Sequence, residues 1–289
     1  MTGQRKFYSV GTLWLVCLVI AGFGGIWQQR WQQMQHVMAE ESVPEIPLYA
    51  GALAEFRIYP MAEIIKNSDL FVAAGNSSFL REEAVYSFLQ GPKSWDERRV
   101  WSGEWSGTYA RGGYFGNFAC GLCCMANIYS TFTQYDCSPW DMYEHARQVS
   151  GYSPSKGAGA IGWGDMKQTL NKSGFDCALM RKPGSYETFR EEIAGAAGAV
   201  VLVCSGNDDT FWKSTGGHYV NVWLYNRETD EVFLSDPGSP DRNRRWIPLR
   251  YVYDALKTVS QYQYLLVSGY SEDANEWKQD GIDEAWIAP

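Results

Sequence analysis

Histidine and positive charge are both scarce in this sequence, and each shortage narrows the range of functions. Only three histidines occur among the 289 residues. The formal net charge of −8 and the pI near 5.0 argue against a nucleic-acid-binding protein, which would usually carry a basic patch or stripe. No internal repeat or low-complexity tract is visible either. The length then suggests one large domain with additional segments.

The sequence also lacks a second pair of metal ligands. Cys120 and Cys123 form a C-x-x-C pair in "CGLCC", but no second C-x-x-C and no H-x-x-x-H follows. A structural zinc site needs four ligands in such paired spacing. The glycines of "GAGAIGWG" are not in phosphate-loop order, and no strand clearly precedes them. We therefore expect neither a metal nor another cofactor.

One long apolar run is present, close to the N-terminus. Residues 8–27, "YSVGTLWLVCLVIAGFGGIW", carry no charge over twenty positions, which is enough to span a hydrocarbon core. Arg5 and Lys6 precede the run and favour an N-terminus on the inner side, and Trp27 suits the membrane interface. We expect residues 1–31 to be a single-pass anchor with the rest of the chain extracytoplasmic. A cleaved signal peptide is the alternative.

The chain after the apolar run divides into segments of different composition. Residues 32–50 are polar and then punctuated by proline, as a juxtamembrane stalk would be. Residues 51–84 are expected to form a helical extension, and two helices are predicted within residues 53–90, near "MAEIIKN" and "REEAVYSFLQ". The main domain is expected over residues 85–270, followed by a tail over residues 271–289.

Within the main domain, helical patterns come first and strand patterns follow. The pattern is helical and largely apolar from Cys120 to about Phe132, and a second helix has Ser138 as its N-cap, with Asp141 three residues later. Runs rich in Val, Tyr and Leu then predict strands in "AVVLVCS", "GHYVNVWLYN", "EVFLSD" and "QYQYLLVSGY". This order predicts an α+β fold rather than alternating βα units.

Three residues of the main domain could form a thiol-based catalytic site. A reactive thiolate needs a lowered pKa, a base within hydrogen-bond reach and a third group that orients the base. Cys120 lies at a predicted helix N-terminus, where the helix dipole stabilises an anion. His218 begins a strand after "STGG", and Asp236 ends the next strand in "FLSDPGSP", so antiparallel pairing could bring the two together.

We expect three other cysteines and one other histidine to have no catalytic role. Cys123 and Cys124 lie one helical turn beyond Cys120 in an apolar run, so we expect them to be buried and inert. Cys204 in "AVVLVCSG" is interpreted as a buried strand residue. His145 lies in the second predicted helix, on a face that looks exposed.

In type and order, these motifs resemble those of the C39-like peptidases, a family with the papain-like cysteine protease fold. The matching elements are Cys-Gly at a helix start, Gly-His-Tyr-Val opening a strand and Asp-Pro after the next strand, within roughly residues 85–270. The family's upstream Gln-x-x-x-x-Trp element matches Gln90 and Trp95 in "LQGPKSW". Leu122 stands where many relatives have proline after the Cys-Gly pair.

The resemblance implies a papain-like fold and a role for each matching residue. Cys120 would be the nucleophile, His218 the general base and acid, and Asp236 the group that orients the imidazole. Gln90 would form the oxyanion hole with the backbone N–H of Cys120. The gap between Gln90 and Cys120 is longer than usual in the family, which makes Asn117 the alternative donor. The implied substrate is a peptide or protein, with hydrolysis as the default reaction and transpeptidation as the other possibility.

Two other functions fit part of these observations. A thiol–disulfide oxidoreductase could use the C-x-x-C pair Cys120 and Cys123 at a helix start, but it would leave His218 and Asp236 unexplained. An inactive module that kept the fold and binds peptide in its groove is the third reading.

Overall fold

The computed structural model describes residues 80–91, 104–110, 113–154, 159–205 and 211–282. The predicted anchor over residues 8–27, the stalk over residues 32–50, most of the helical extension and Trp95 lie outside these ranges. In the part of the chain that is described, no helix has both the length and the apolar character needed to cross a membrane.

The helices form where local sequence signals place them. Helix α1 begins at Cys120 and ends at Phe132, as predicted, and every one of its residues is buried. Helix α2, Pro139–Ser150, starts with a capping box in which the Ser138 hydroxyl accepts from the Asp141 N–H and the Asp141 carboxylate accepts from the Ser138 N–H. The other helices are α3 (Trp163–Lys172), α4 (Tyr186–Gly195) and α5 (Leu249–Ala255).

Six of the strands form one antiparallel sheet, and two short strands form a separate ribbon. The ribbon pairs β1 (Tyr109–Ala110) with β2 (Gly113–Tyr114). The strands of the sheet are β3 (Ser173–Met180), β4 (Gly198–Val203), β5 (His218–Asn226), β6 (Glu231–Ser235), β7 (Arg245–Pro248) and β8 (Tyr264–Asn275). Their order in the sheet is β3-β8-β4-β5-β6-β7.

Both faces of the sheet are covered at β4, which explains the continuous apolar run in this strand. Leu202 contributes to the hydrophobic cluster that includes α1, whereas Val201 and Val203 contribute to a second cluster with Phe189 of α4 and Val252 of α5. Successive residues of a strand point to opposite faces, so a strand covered on both sides reads as unbroken apolar sequence. The fold is thus α+β, with the N-terminal helices packed on a six-stranded antiparallel sheet.

The helix predicted in "REEAVYSFLQ" is wrong beyond its first turn. A 3-10 turn covers Glu82–Ala84, and the following residues to Gln90 are not helical. The Tyr86 N–H donates to Thr131 Oγ1 at 3.0 Å, and the Phe88 N–H donates to Asn127 Oδ1 at 2.9 Å. Side chains of α1 therefore satisfy backbone groups that a helix would have satisfied internally, and this tertiary gain outweighs the local helix preference.

The prediction of an exposed His145 is also wrong. Its side chain is 4% exposed and stacks on Trp277, with ring centroids 4.2 Å apart. His145 Nε2 lies 3.1 Å from Ser173 Oγ. The covering tryptophan comes from the segment after β8, too far along the chain for the pattern of α2 to reveal it. Cys204, predicted to be a buried strand residue, follows the end of β4 and is partly exposed.

The C-terminal third contains two elements that the sequence patterns did not predict, β7 and α5. The last strand, β8, also continues to Asn275, beyond residue 270. After β8, Gly281 forms an isolated bridge with Cys137. Asn275, which pairs with Ser173 of β3, and Gly281 thus both contact other parts of the domain.

Candidate active site

Cys120 is the first residue of α1, and its side chain is 6% exposed. Helix N-termini present N–H groups without intrahelical partners and a positive dipole end. Burial alone would raise the pKa of the Cys120 thiol. A hydrogen bond from His218, the imidazolium charge, and the backbone N–H groups of Tyr219 and Gly121 oppose this, and the net effect is a lowered pKa.

Gly121 allows α1 to pack closely against its neighbours. A Cβ at this position would lie 2.6 Å from Ile161 Cγ2 and 3.2 Å from Tyr219 Cδ2. A larger residue would push the helix away from β5, which carries His218. The Cys-Gly pair therefore brings the thiol close to the strand that holds the imidazole.

His218 is the first residue of β5, and its Nε2 lies 2.7 Å from Asp236 Oδ1. Because Nε2 is used in this contact, Nδ1 is the ring nitrogen left to face Cys120. Burial would lower the pKa of His218, but the charge and hydrogen bond of Asp236, together with those of the Cys120 thiolate, raise it to about 10. The thiolate and the imidazolium therefore stabilise each other as an ion pair.

Asp236 follows β6 directly and is fully buried. Its Oδ1 also accepts from the Gly238 N–H at 2.9 Å, and its Oδ2 accepts from Arg242 Nε at 2.7 Å and from Trp212 Nε1 at 3.2 Å. Burial would raise the pKa of Asp236, but the charges and hydrogen bonds of His218 and Arg242 lower it to about 2. The carboxylate thus remains ionised although it is fully buried.

Sequence reasoning did not identify Trp212, Arg242 or Gly238 as parts of this site. A Cβ on Gly238 would lie 2.8 Å from His218 Cε1 and 2.9 Å from His218 Nε2, so only glycine lets the turn pass under the imidazole. The "DPG" triplet is a local turn signal, but it does not show that a ring lies above it. For Trp212 and Arg242 no local signal exists, since their contacts with Asp236 depend on the folding of two loops.

Gln90 contacts both the loop that carries Asp236 and the turn before α1. Its backbone N–H donates to Pro237 O at 2.8 Å, beside Asp236, and its Nε2 donates to Gly116 O at 3.1 Å, in the turn before α1. Gln90 Oε1 is buried without a hydrogen-bond partner among the described residues. Asn117, the alternative donor, lies in the same turn, Phe115–Asn117, and is exposed.

Two buried asparagines tie α1 to β5 behind the site. Asn127 Nδ2 donates to Asn221 Oδ1 at 2.9 Å, and Asn221 Nδ2 donates to Cys124 O at 3.2 Å. Buried amides that satisfy each other in this way fix one register between the elements that carry them. The network holds the helix of Cys120 and the strand of His218 at one relative position.

The other two thiols of α1 have different surroundings. Cys123 and Cys124 are completely buried, and burial raises the pKa of both well above the ordinary thiol value. The negative charge of Cys120 adds to the rise. All six cysteines of the described part are free, and within that part no group of His, Cys, Asp and Glu side chains could hold a metal ion.

Comparisons with known proteins gave one kind of match. No protein-family model and no curated protein sequence matches the chain. Among solved structures, the chain is similar to the peptidase domain of Streptococcus ComA, a bi-functional ABC transporter involved in a quorum-sensing pathway. The sequence identity is 13% and the TM-score 0.38, and the match covers 56% of this chain and 99% of that domain.

Proposed function

We propose that this protein is a cysteine peptidase that hydrolyses peptide bonds through an acyl-enzyme. The observation that carries the proposal is the placement of three groups: Cys120 begins α1, His218 begins β5, on which α1 packs, and His218 Nε2 lies 2.7 Å from Asp236 Oδ1. The lowered pKa of the thiol and the raised pKa of the imidazole agree with this placement. Residues that serve only packing do not require this arrangement. Titratable groups whose pKa values are shifted by one another are typical of catalytic sites.

The geometry suits acyl transfer. The Cys120 thiolate attacks the carbonyl carbon of the scissile peptide, and the carbonyl oxygen takes the negative charge. His218 Nδ1 gives its proton to the leaving amine as the C–N bond breaks, which leaves a thioester on Cys120. Water then attacks the thioester and gives a proton to Nδ1. The C–S bond breaks, the acid product leaves, and the ion pair is restored.

Asp236 and Gln90 support this reaction in different ways. Asp236 accepts from Nε2, which fixes the ring with Nδ1 towards the thiol and stabilises the imidazolium. The backbone N–H of Cys120, at the helix N-terminus, is one donor for the oxyanion, and we assign Gln90 Nε2 as the second. One of its two hydrogens is used by Gly116 O, and the other is available. A single oxyanion donor is worth roughly 3–4 kcal/mol elsewhere.

The proposed substrate is a peptide or protein segment, and the proposed location is outside the cytoplasmic membrane, with residues 8–27 as the tether. The location rests on the basic residues before the apolar run and on the length of that run. A membrane tether would restrict the enzyme to substrates at or near the same surface.

The first prediction concerns the reactivity of the thiols. Alkylation by iodoacetamide, followed residue by residue with mass spectrometry, should modify Cys120 well below pH 8, because the ion pair supplies thiolate there. The rate should stay high as the pH rises further, because the thiolate remains ionised after His218 loses its proton. In His218→Ala the pH profile of Cys120 should move upward, because burial then acts without the imidazolium.

Cys123→Ala is the matched control, because it removes a neighbouring thiol of the same helix and leaves the proposed ion pair intact. Its Cys120 profile should equal that of the wild type. A peptide carrying a thiol-reactive electrophile should label Cys123→Ala and fail to label Cys120→Ala. Alkylation of Cys123 or Cys124 faster than that of Cys120 would contradict the peptidase proposal. An unchanged pH profile of Cys120 in His218→Ala would also contradict it. Labelling without hydrolysis of any peptide would favour an inactive binding module.

A further inference from the structure

The Asp236 carboxylate has a second set of partners besides His218. Its outer oxygen, Oδ2, accepts from Arg242 Nε at 2.7 Å and from Trp212 Nε1 at 3.2 Å. Trp212 is fully buried, and the Arg242 side chain is 30% exposed. An ionised carboxylate has about four acceptor positions, and the four donors around Asp236 occupy them. It therefore has little freedom to rotate away from the imidazole.

The loop after β6 is folded so that Arg242 returns to this carboxylate. The Asp236 N–H donates to Asn243 Oδ1 at 2.9 Å, and the N–H groups of Arg242 and Asn243 donate to Ser239 O at 3.2 and 2.9 Å. The guanidinium carbon of Arg242 lies 5.9 Å from the ring centre of Phe211, the neighbour of Trp212. Two loops thus meet at Oδ2, each supplying one donor.

The charges of the site balance in two pairs. Asp236 is paired with Arg242, and the His218 imidazolium is paired with the Cys120 thiolate. Other titratable or charged groups of the described part also lie near these pairs: Cys123, Cys124, Tyr152, Tyr219 and Lys257, whose Nζ lies next to Gly217. Without Arg242, the buried site would carry one uncompensated negative charge, which favours the protonated forms of both His218 and Cys120.

We propose that Arg242 and Trp212 are positioning residues that hold Oδ2 of Asp236 so that Oδ1 stays on the imidazole, and that the charge of Arg242 sets the pH range in which the Cys120–His218 pair is ionised. The proposal rests on the proposed peptidase function, because it concerns the regulation of the same ion pair. It assigns no contact with substrate to either residue.

The test uses the full-length protein and the pH profile of Cys120 alkylation by iodoacetamide, so that no substrate needs to be known. The acidic limb is the pH range in which the rate of Cys120 alkylation rises as the thiol loses its proton. In Arg242→Gln this limb should move to higher pH by about one unit. Trp212→Phe keeps a buried ring and removes one neutral donor, so its limb should move in the same direction by less. Arg242→Lys keeps the charge, and its limb should stay at the wild-type position.

Arg250→Gln is the matched control. Arg250 Nε makes the same type of contact, 3.0 Å from Asp254 Oδ1, at an exposed position. The acidic limb of Cys120 alkylation in Arg250→Gln should coincide with that of the wild type. A purely structural role of Arg242 would lower stability and leave the limb in place, so thermal unfolding is measured for every variant.

The outcomes separate the two proposals. If His218→Ala shifts the limb but Arg242→Gln behaves like Arg250→Gln, the positioning proposal is overturned and the peptidase proposal stands. If wild-type Cys120 titrates as an ordinary thiol and His218→Ala changes nothing, the peptidase proposal fails first. If Arg242→Gln does not fold, Trp212→Phe decides: an upward shift supports the proposal, and an unmoved limb rejects it.

Discussion

One edge of the His218 ring lies against Asp236 and Gly238. Asp236 Oδ1 binds Nε2 at 2.7 Å, and Gly238 passes close to the same edge of the ring. A catalytic imidazole must hold one nitrogen towards the thiol and the other towards the carboxylate, and small rotations break both contacts. The glycine therefore matters to the site because it leaves space, in addition to the N–H that it donates to Asp236.

Gly238→Ala should impair the site with little effect on the backbone. The new Cβ would lie 2.8–2.9 Å from two ring atoms of His218, so the ring must move away from Asp236. Gly238 is not among the residues with positive φ, and alanine can adopt its backbone conformation. We expect the rate of Cys120 alkylation at neutral pH to fall by about tenfold to a hundredfold.

The control for this prediction is Gly195→Ala at the end of α4. Among the described residues, and apart from its chain neighbours and the backbone of its own helix, no atom lies within 4 Å of a Cβ built at Gly195, and its φ is not positive. The Cys120 profile of Gly195→Ala should equal that of the wild type. Equal profiles in Gly238→Ala and Gly195→Ala would show that the His218 ring tolerates the added methyl group.

Between elements, α2 and the segment after β8 are held together by an aromatic stack. His145 of α2 stacks on Trp277 at an interplanar angle of 7°, and Trp277 also contacts Tyr129 of α1, with ring centroids 4.9 Å apart. Asn275 Oδ1 accepts from the N–H of Trp277 at 3.0 Å and so fixes the start of the segment. The end of the chain therefore helps to order the helices.

This stack should make stability depend on pH. Burial lowers the pKa of His145 from 6.5 to about 4, although the nearby charge of Glu276 opposes the shift. Between these values the unfolded chain binds a proton at this histidine that the folded chain does not bind. Stability from this residue is thus present above about pH 6.5 and is lost as the pH falls towards about 4.

His145→Phe keeps an aromatic ring for Trp277 and removes the titration. We expect the free energy of unfolding, measured with urea between pH 7 and 4, to fall less steeply in this variant than in the wild type. The comparison uses slopes, because the variant also loses the contact with Ser173, and that loss changes the stability by an amount that does not depend on the titration of His145. Parallel slopes would contradict the prediction.

For the protein as a whole, we propose that the α+β domain is tethered on the outer side of a membrane. The predicted tether, residues 8–27, lies outside the described residues, so this prediction depends on the sequence alone. Arg5 and Lys6 before the apolar run favour an inner N-terminus and an outer domain. The free thiols of the described part agree with either compartment.

Protease added to intact cells should therefore remove the domain that contains Cys120. A cytoplasmic marker protein, probed in the same samples, is the control for membrane integrity. Complete protection of the domain in cells with an intact membrane would reverse the proposed topology. Release of the whole domain into the medium without protease would instead favour a cleaved signal peptide.

Local sequence determined the parts of this protein that depend on near neighbours. The apolar run after Cys120, the capping box at Ser138 and the strand-like runs before and after "RETDE" all predicted elements that the structure confirms. The positions of Cys120 at a helix start, His218 at a strand start and Asp236 after a strand followed from these elements. The structure brings the three side chains together, and their catalytic roles remain predictions.

Only the tertiary structure decided the features that depend on distant partners. The segment before Gln90 lost its predicted helix because side chains of α1 bind its backbone, and His145 became buried because Trp277 returns over it. Arg242 and Trp212 reach Asp236 from two different loops. Helix and strand patterns in the sequence depend on contacts between residues a few positions apart. The contacts of Trp277, Arg242 and Trp212 join distant parts of the chain and form only after it has packed.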